Sequence, residues 1–211
     1  ILDNVIVSHE YLHYMKNKRQ GPVGCMVLKL DMSKAYDRVE WKFLSVIMQK
    51  MGFSETWLIW IRQCLSTVSY SFNINGEQRG YVIPMRGIRQ WDPLSPYLFL
   101  LCSEGLSNLL RRAEEMKLIT GVRISRRGPS ISHLFIADDT LVFCKGSPDR
   151  AEEIMTVLAT YEQGAGQVVN YNKSYVFFSK NVPQVVKDEV CRKLGNIQMV
   201  NQEKYLGLPW S

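Results

Sequence analysis

The sequence predicts an α+β fold, a ferredoxin-like split βαβ sheet with helices on one face. Three observations predict it. Short apolar segments bounded by turn signals alternate with longer segments whose apolar residues recur at helical spacing. Once an early helix pair and a hairpin are set aside, their order is β-α-β-β-α-β, the split βαβ order. The 211 residues are 46% hydrophobic and 22% charged, enough to bury a sizeable core. No repeat, low-complexity tract or Pro/Gly/Ser-rich linker divides the chain, so one domain is expected over residues 1–211.

The elements follow from local signals. Cys25 to Leu30 reads as a buried strand, short and mostly apolar with turn signals before it. Val39 to Met51 has helical spacing and stops at Gly52. Ser54 to Leu65, rich in Trp and Ile, is a second helix. Tyr70 to Ile74 and Tyr81 to Ile83 flank Asn75-Gly76, whose residues suit a hairpin turn. Tyr97 to Met116 is a long helix, apolar early and charged late. Ile131 to Ile136 and Leu141 to Phe143 are short strands joined by a tight turn over Ala137 to Thr140. Ser147-Pro148-Asp149 opens the next helix with a cap, a proline at the first position and an early acid. That helix runs to about Gly164. A strand over Ser174 to Ser179, a helix over Val182 to Leu194 and an extended piece over Tyr205 to Leu208 complete the chain.

Charge and cysteines narrow the function classes. Net charge is +6, compatible with a polyanionic partner and equally with a mildly basic soluble protein. The five cysteines are odd in number and widely spaced with no C-x-x-C pair. That argues against a disulfide framework or a zinc site and for an intracellular setting, nuclear or cytoplasmic. The longest apolar run, Tyr97 to Cys102, is far too short to span a bilayer, so no membrane partner is expected. A chain beginning at Ile1 reads as a piece of something longer.

The chemistry enters with three aspartates. Asp31 closes the first strand, and Asp138 and Asp139 occupy the turn of the central hairpin. In a split βαβ sheet that strand and hairpin can be neighbours, bringing Asp31 and Asp138 to one edge. Adjacent residues in a regular strand point to opposite faces, so an Asp-Asp pair must lie in a turn for both carboxylates to approach one ion. Hard oxygen ligands there suit Mg²⁺, which keeps waters and takes substrate phosphates. Two such ions about 4 Å apart can activate an attacking hydroxyl and stabilise a leaving oxygen. Asp-Asp is also ordinary turn chemistry, and only its company raises it above that.

At these residues the sequence resembles the reverse transcriptases of plant non-LTR (LINE-type) retrotransposons. Leu28-Lys29-Leu30-Asp31-Met32-Ser33-Lys34-Ala35-Tyr36-Asp37-Arg38-Val39-Glu40-Trp41 is similar to their motif A. Arg86-Gly87-Ile88-Arg89-Gln90-Trp91-Asp92-Pro93-Leu94-Ser95-Pro96 is similar to motif B, and Phe135-Ile136-Ala137-Asp138-Asp139 to motif C. Gly166 to Ser174 resembles motif D, and Tyr205-Leu206-Gly207-Leu208-Pro209 the segment after it. Five motifs in order is a strong signal where each alone is weak. The resemblance implies a polymerase palm with part of the fingers, lacking the upstream fingers, thumb and endonuclease. It implies an RNA-directed DNA polymerase core that adds dNTPs to a DNA primer on an RNA template, with Mg²⁺ (two ions; Mn²⁺ as a substitute) as cofactor.

Residue by residue, the resemblance makes Asp31 and Asp138 the metal ligands, with Asp139 more peripheral. The Met32 carbonyl would face a metal. Tyr36 would sit under the sugar as a gate against a 2′-hydroxyl, the alternative being core packing. Arg89 and Gln90 would contact nucleotide or template, although Arg89 reads equally as a surface charge. Lys173 would offset charge on, or protonate, the leaving pyrophosphate, or else is an exposed strand-edge lysine. Two positions depart from the pattern. Trp91 stands where the family has Gly, and an indole would crowd a backbone meant to approach nucleotide or template. Ile136 replaces the usual aromatic of motif C. An alternative from another class is therefore a catalytically inactive nucleic-acid-binding remnant. An RNA-dependent RNA polymerase palm and a group II intron maturase fit the motif wording less well.

Overall fold

A computed structural model describes residues 2–125, 127–200, 204–205 and 208–209. The first half of the chain forms α1 (Leu2–Asn17), β1 (Cys25–Leu30), β2 (Met32–Ser33), α2 (Trp41–Lys50), α3 (Glu55–Ser66), β3 (Tyr70–Ile74), β4 (Glu77–Val82) and α4 (Ser95–Glu115). The second half forms β5 (His133–Ile136), β6 (Asp139–Lys145), α5 (Pro148–Ala165), β7 (Val168–Val169), β8 (Tyr175–Phe178), α6 (Gln184–Lys193), β9 (Gln198–Met199), β10 (Lys204–Tyr205) and β11 (Leu208–Pro209). No helix among the described residues is long and apolar enough to cross a membrane. The chain divides into two compact units. One comprises Ile1–Ser33, Ser107–Ala159 and Val169–Ser211, and the other Lys34–Leu106 and Thr160–Val168. Each is discontinuous in sequence, so no linker marks either.

The first unit is built on a five-stranded sheet in the order β5-β6-β1-β8-β9. β1 runs antiparallel to β6, from Cys25 opposite Lys145 to Leu30 opposite Thr140. On its other side it pairs antiparallel with β8, from Met26 opposite Phe178 to Lys29 opposite Tyr175. Strands β5, β6, β1 and β8 are the split βαβ sheet the sequence predicts. Both faces of β1 are apolar, so it reads as a continuous run without the alternation of a half-exposed strand. β9 extends the sheet in parallel with β8.

The sequence reading leaves residues 2–17 without an element, yet they form α1. Its buried residues are Ser8, Tyr11, Leu12 and Met15, at i, i+3, i+4 and i+7. The stripe is narrow and contains a serine, which hides the periodicity. The Ser8 hydroxyl is satisfied within the helix by donating to the Val5 carbonyl at 2.7 Å. α1 packs Tyr11, Leu12 and Met15 with Val27, Leu141 and Phe143 of the sheet. The Tyr11 and Phe143 rings meet edge to face at 5.5 Å, and the Tyr11 hydroxyl donates to the Pro129 carbonyl at 3.0 Å.

In the second unit, β3 and β4 form the expected hairpin. Asn75 and Gly76 both take left-handed backbone, at φ 53° and 89°, as a two-residue turn of this kind requires. β4 starts at Glu77, directly after the turn, earlier than the apolar residues alone suggested. In the same unit a buried polar network ties the end of α5 to the segment after β2. The Tyr161 hydroxyl donates to the Gln167 side-chain oxygen, and Gln167 Nε2 donates to the Ala35 carbonyl at 2.7 Å. Burial holds the Tyr161 hydroxyl well above its ordinary pKa, so it stays a neutral donor. The edge of the Phe43 ring fills the space a side chain at Gly105 would occupy.

Phe143 is fully buried at the centre of the first unit's core. Phe143→Ala is expected to cost about 3–5 kcal/mol, read as a lower urea midpoint; a loss under about 1 kcal/mol would mean that α1 does not pack on this sheet.

Candidate active site

Asp31 follows the last residue of β1. Leu30 pairs with Thr140, so one further step of the same register sets Asp31 opposite Asp139. The β5–β6 hairpin closes with Ile136 opposite Asp139, leaving Ala137 and Asp138 as its two-residue turn. This corrects one expectation: Asp139 is already a strand residue, and only Asp138 of the pair lies in the turn. Ala137 takes φ 55°, uncommon for a residue with a Cβ, and the tight reversal there keeps Asp138 exposed at the sheet edge. The three carboxylates share this edge, and their electrostatics record it.

Burial pushes the Asp139 carboxyl above the ordinary aspartate range. The hydrogen bond and charge of Lys29 pull it back, and the charges of Asp138 and Asp31 push it up again. Lys29 Nζ lies 2.6 Å from Asp139 Oδ1 and 5.7 Å above the Tyr175 ring. Lys29 stands two residues before Asp31 on the same face of β1, and so reaches the acid diagonally across the ladder. The sequence reading passed over it; a lysine at i−2 from a strand-end acid, facing a second strand that begins with an acid, is the signal that finds it.

The donor set bears on a metal. Among the described residues no three His, Cys, Asp or Glu side chains form a ready-made cage. Mg²⁺ needs none, since it binds through one or two carboxylates, waters and substrate phosphates. Asp139 is held by Lys29, which leaves Asp31 and Asp138 as the fitting donors. Lys173 is exposed in the turn beside them. The Asn170 N–H donates to the Asp31 carbonyl at 2.8 Å, and the Asp31 N–H donates to Ser174 Oγ at 3.0 Å, so this turn runs alongside Asp31. Met32 is half-buried in β2 directly after it.

The remaining predicted residues gather in the second unit. The Ile88 N–H donates to the Tyr36 carbonyl at 2.9 Å and the Gly87 N–H to the Val39 carbonyl at 2.8 Å. Gly87 has φ 84°, and a Cβ there would stand 2.6 Å from the Asp37 carbonyl oxygen, so only glycine fits. The Tyr36 ring lies flat against the buried Phe99 ring, centroids 4.7 Å apart and planes 7° apart. Gln90 Nε2 donates to Asp37 Oδ1 at 3.4 Å, and Arg89 is exposed. Trp91 is 100% exposed with φ 67°. Its indole finds no apolar cover, and its backbone holds the conformation that glycine adopts freely. Leu206 and Gly207, in the last resembling segment, lie outside the described residues; Tyr205 opposite Leu208 forms a short antiparallel pair.

Residues 4–210 match the family described as reverse transcriptase (RNA-dependent DNA polymerase). An uncharacterized mitochondrial protein of Arabidopsis thaliana is 43% identical over 112 residues, 53% of this chain and 91% of that protein. The Pol polyprotein of a type-1 retrotransposable element R2 of Popillia japonica is 26% identical over the whole chain, which spans 34% of it. A telomerase structure from Candida tropicalis superposes with a TM-score of 0.59 at 17% identity, covering 87% of this chain and 35% of that one. The Candida albicans telomerase solved with a fragment of telomeric RNA gives 0.59 at 15% identity, covering 87% and 31%. At such identities the likeness shows the fold, that of a polymerase palm.

Two measurements follow from this geometry. An acid with a raised pKa binds its proton more tightly folded than unfolded. Asp139 therefore favours the fold most in acid, and this contribution is lost as pH rises from the ordinary aspartate value through the raised one. By ¹³C-carboxyl NMR, Lys29→Met should raise the Asp139 pKa further and Asp31→Asn should lower it; an unmoved Asp139 resonance in Lys29→Met would dispose of the ion pair. Trp91→Gly should stabilise the protein by about 1 kcal/mol by removing left-handed strain, seen as a higher urea midpoint, whereas a lower midpoint would mean that the indole makes a stabilising contact.

Proposed function

The chain belongs to the reverse transcriptase family, and from that premise we propose that it is the palm of a non-LTR retrotransposon polymerase, adding dNTPs to a DNA primer on an RNA template. The observation that carries this reading is the convergence of Asp31, Asp138 and Asp139 on one sheet edge, close enough for the first two to disturb the third. The chain spans about a third of the R2 polyprotein and telomerase chains it matches, so the full reaction belongs to a longer protein. An intracellular setting is part of the proposal.

In this reading Asp31 and Asp138 hold the divalent ions, Mg²⁺ or Mn²⁺. When bound, those ions lower the cost of generating the attacking oxygen and neutralise charge on the leaving one. Asp139 is kept from ligation by Lys29, and its work is to fix Lys29 and the local charge. Met32, directly after Asp31, would lend its carbonyl to holding them. Lys173, exposed in the turn beside Asp31, offers positive charge or a proton to the departing pyrophosphate. Tyr36 selects the sugar: flat packing on Phe99 fixes its ring, and a fixed ring can exclude a 2′-hydroxyl where a mobile one would yield. Gln90, restrained by Asp37, and Arg89 bind nucleotide or template.

A second reading, a catalytically inactive nucleic-acid-binding remnant, is favoured by one observation. Trp91 puts a fully exposed indole where the motif has glycine. Template affinity rests on distributed phosphate contacts, so it would survive that change.

Primer extension on an RNA template, with the chain in its complete parent protein, separates the two. Asp31→Asn and Asp138→Asn should each lower extension by at least about a thousandfold, on the order of the loss when a key transition-state contact is removed. Tyr36→Ala should admit ribonucleotides, measured as the ratio of kcat/KM for dNTP over NTP; an unchanged ratio would reduce Tyr36 to a packing residue. RNA binding without extension, in both the Trp91 protein and Trp91→Gly, would establish the remnant.

A further inference from the structure

We propose that Ser174 is a positioning residue for Asp31: its hydroxyl clamps the backbone of the metal-binding aspartate, so that the carboxylate is presented in one orientation. The proposal rests on the reading of Asp31 as a metal ligand.

The β1–β8 ladder ends at Lys29 opposite Tyr175, two residues before Asp31. Beyond it the strands part, and Asp31 has no ladder partner on that side. A side chain supplies one. The Asp31 N–H donates to Ser174 Oγ at 3.0 Å, and the hydroxyl donates its own proton to the Asn170 carbonyl at 2.8 Å. A serine hydroxyl has one proton. With that proton committed to Asn170, a lone pair must face Asp31, so the direction of the bond is fixed. The Asn170 carbonyl also accepts from the N–H groups of Lys173 and Ser174, each at 3.0 Å, which keeps it in place as the anchor. The loop closes when the Asn170 N–H donates to the Asp31 carbonyl at 2.8 Å. Asp31 is therefore held at both its N–H and its C=O by one five-residue turn. Ser174 is only 2% exposed, so water cannot take over its role.

This is the arrangement by which groups behind a metal ligand set its orientation, acting here on the ligand's backbone. The same fold supplies an internal control. At the other end of β1, about 17 Å away at strand rise, Ser179 does the same job. The Cys25 N–H donates to Ser179 Oγ at 2.8 Å, and the Ser179 N–H donates to the Cys25 carbonyl at 2.9 Å. Ser179 is likewise buried. Each serine oxygen accepts from the N–H of a residue at one end of β1, and the two differ in that residue, the acid Asp31 at one end and Cys25 at the other.

Mn²⁺ binding to the full chain, followed by the electron paramagnetic resonance of the free ion, tests the proposal. Ser174→Ala should weaken Mn²⁺ binding by about tenfold, while Ser179→Ala leaves it within about twofold, although both lower Tm. Ser174→Cys keeps the volume with a weaker acceptor and should fall between, and it serves if the alanine variant does not fold. Asp31→Asn reports on the underlying reading. Weaker binding in Asp31→Asn with none in Ser174→Ala or Ser174→Cys would overturn the clamp and leave the metal site standing. Equal weakening in Ser174→Ala and Ser179→Ala would overturn it as general loosening. Unchanged binding in Asp31→Asn would overturn the metal assignment and the clamp together.

Discussion

Strand β1 has hydrogen-bonding neighbours on both sides and apolar side chains on both faces, so its register is fixed four times over. Because side chains alternate with a period of two, a slip of one residue would exchange the faces of the whole strand. It would carry Val27 away from Tyr11 and Phe143, and Lys29 away from Asp139. The register that packs the core is thus the same register that brings Asp31 level with Asp139. Positioning the acid therefore needs no ordering of the chain beyond what the core already enforces.

Gathering three carboxylates at one edge works against the fold. Each repels the others, and Asp139 also loses hydration. The protein answers with Lys29, whose position is set from the strand and whose ammonium lies 5.7 Å from the centre of the Tyr175 ring. That cation engages Asp139, and in the proposed function the other two acids are the ones that would hold a divalent ion. A further lysine paired directly with Asp31 or Asp138 would steady this edge without metal and compete with a divalent ion for the acids. The residual repulsion is the reason such an edge favours a counter-ion of higher charge.

Much of this was legible in the sequence, because the signals were local. The apolar run from Cys25 to Leu30, the Asn75-Gly76 turn and the acids at strand ends each report on a few neighbouring residues. The misses were of another kind. α1 buries a serine in a narrow stripe, so its periodicity shows only once the sheet it packs on is known. The two-residue width of the turn at Ala137 and Asp138 is decided by pairing across the hairpin, and Asp139 joined the strand for that reason. Lys29 and Ser174 both lay inside recognised motifs, yet their roles depend on partners 110 and 143 residues away along the chain. The division into two units was hidden because each is assembled from separated segments.

Among the described residues six other than glycine take left-handed backbone, and three of them fall in the motifs that carry the resemblance: Lys34 at φ 50°, Trp91 at 67° and Ala137 at 55°. For residues with a Cβ this conformation is costly, on the order of 1–2 kcal/mol each, and persists only where surrounding structure over-determines it. At Ala137 the pairing of Ile136 with Asp139 does so, because a two-residue hairpin admits few other backbones. At Trp91 the preceding residues do so. Gly87 and Ile88 are bonded back to Val39 and Tyr36, and the turn into α4 is fastened by the Leu94 N–H, which donates to Asp92 Oδ1 at 2.8 Å. The chain between those fastenings has one route, and Trp91 must follow it. The strain is therefore a property of the position, not of the tryptophan. A glycine there relieves it, and that gives a reason rooted in backbone geometry, independent of any nucleotide, for the motif to carry one.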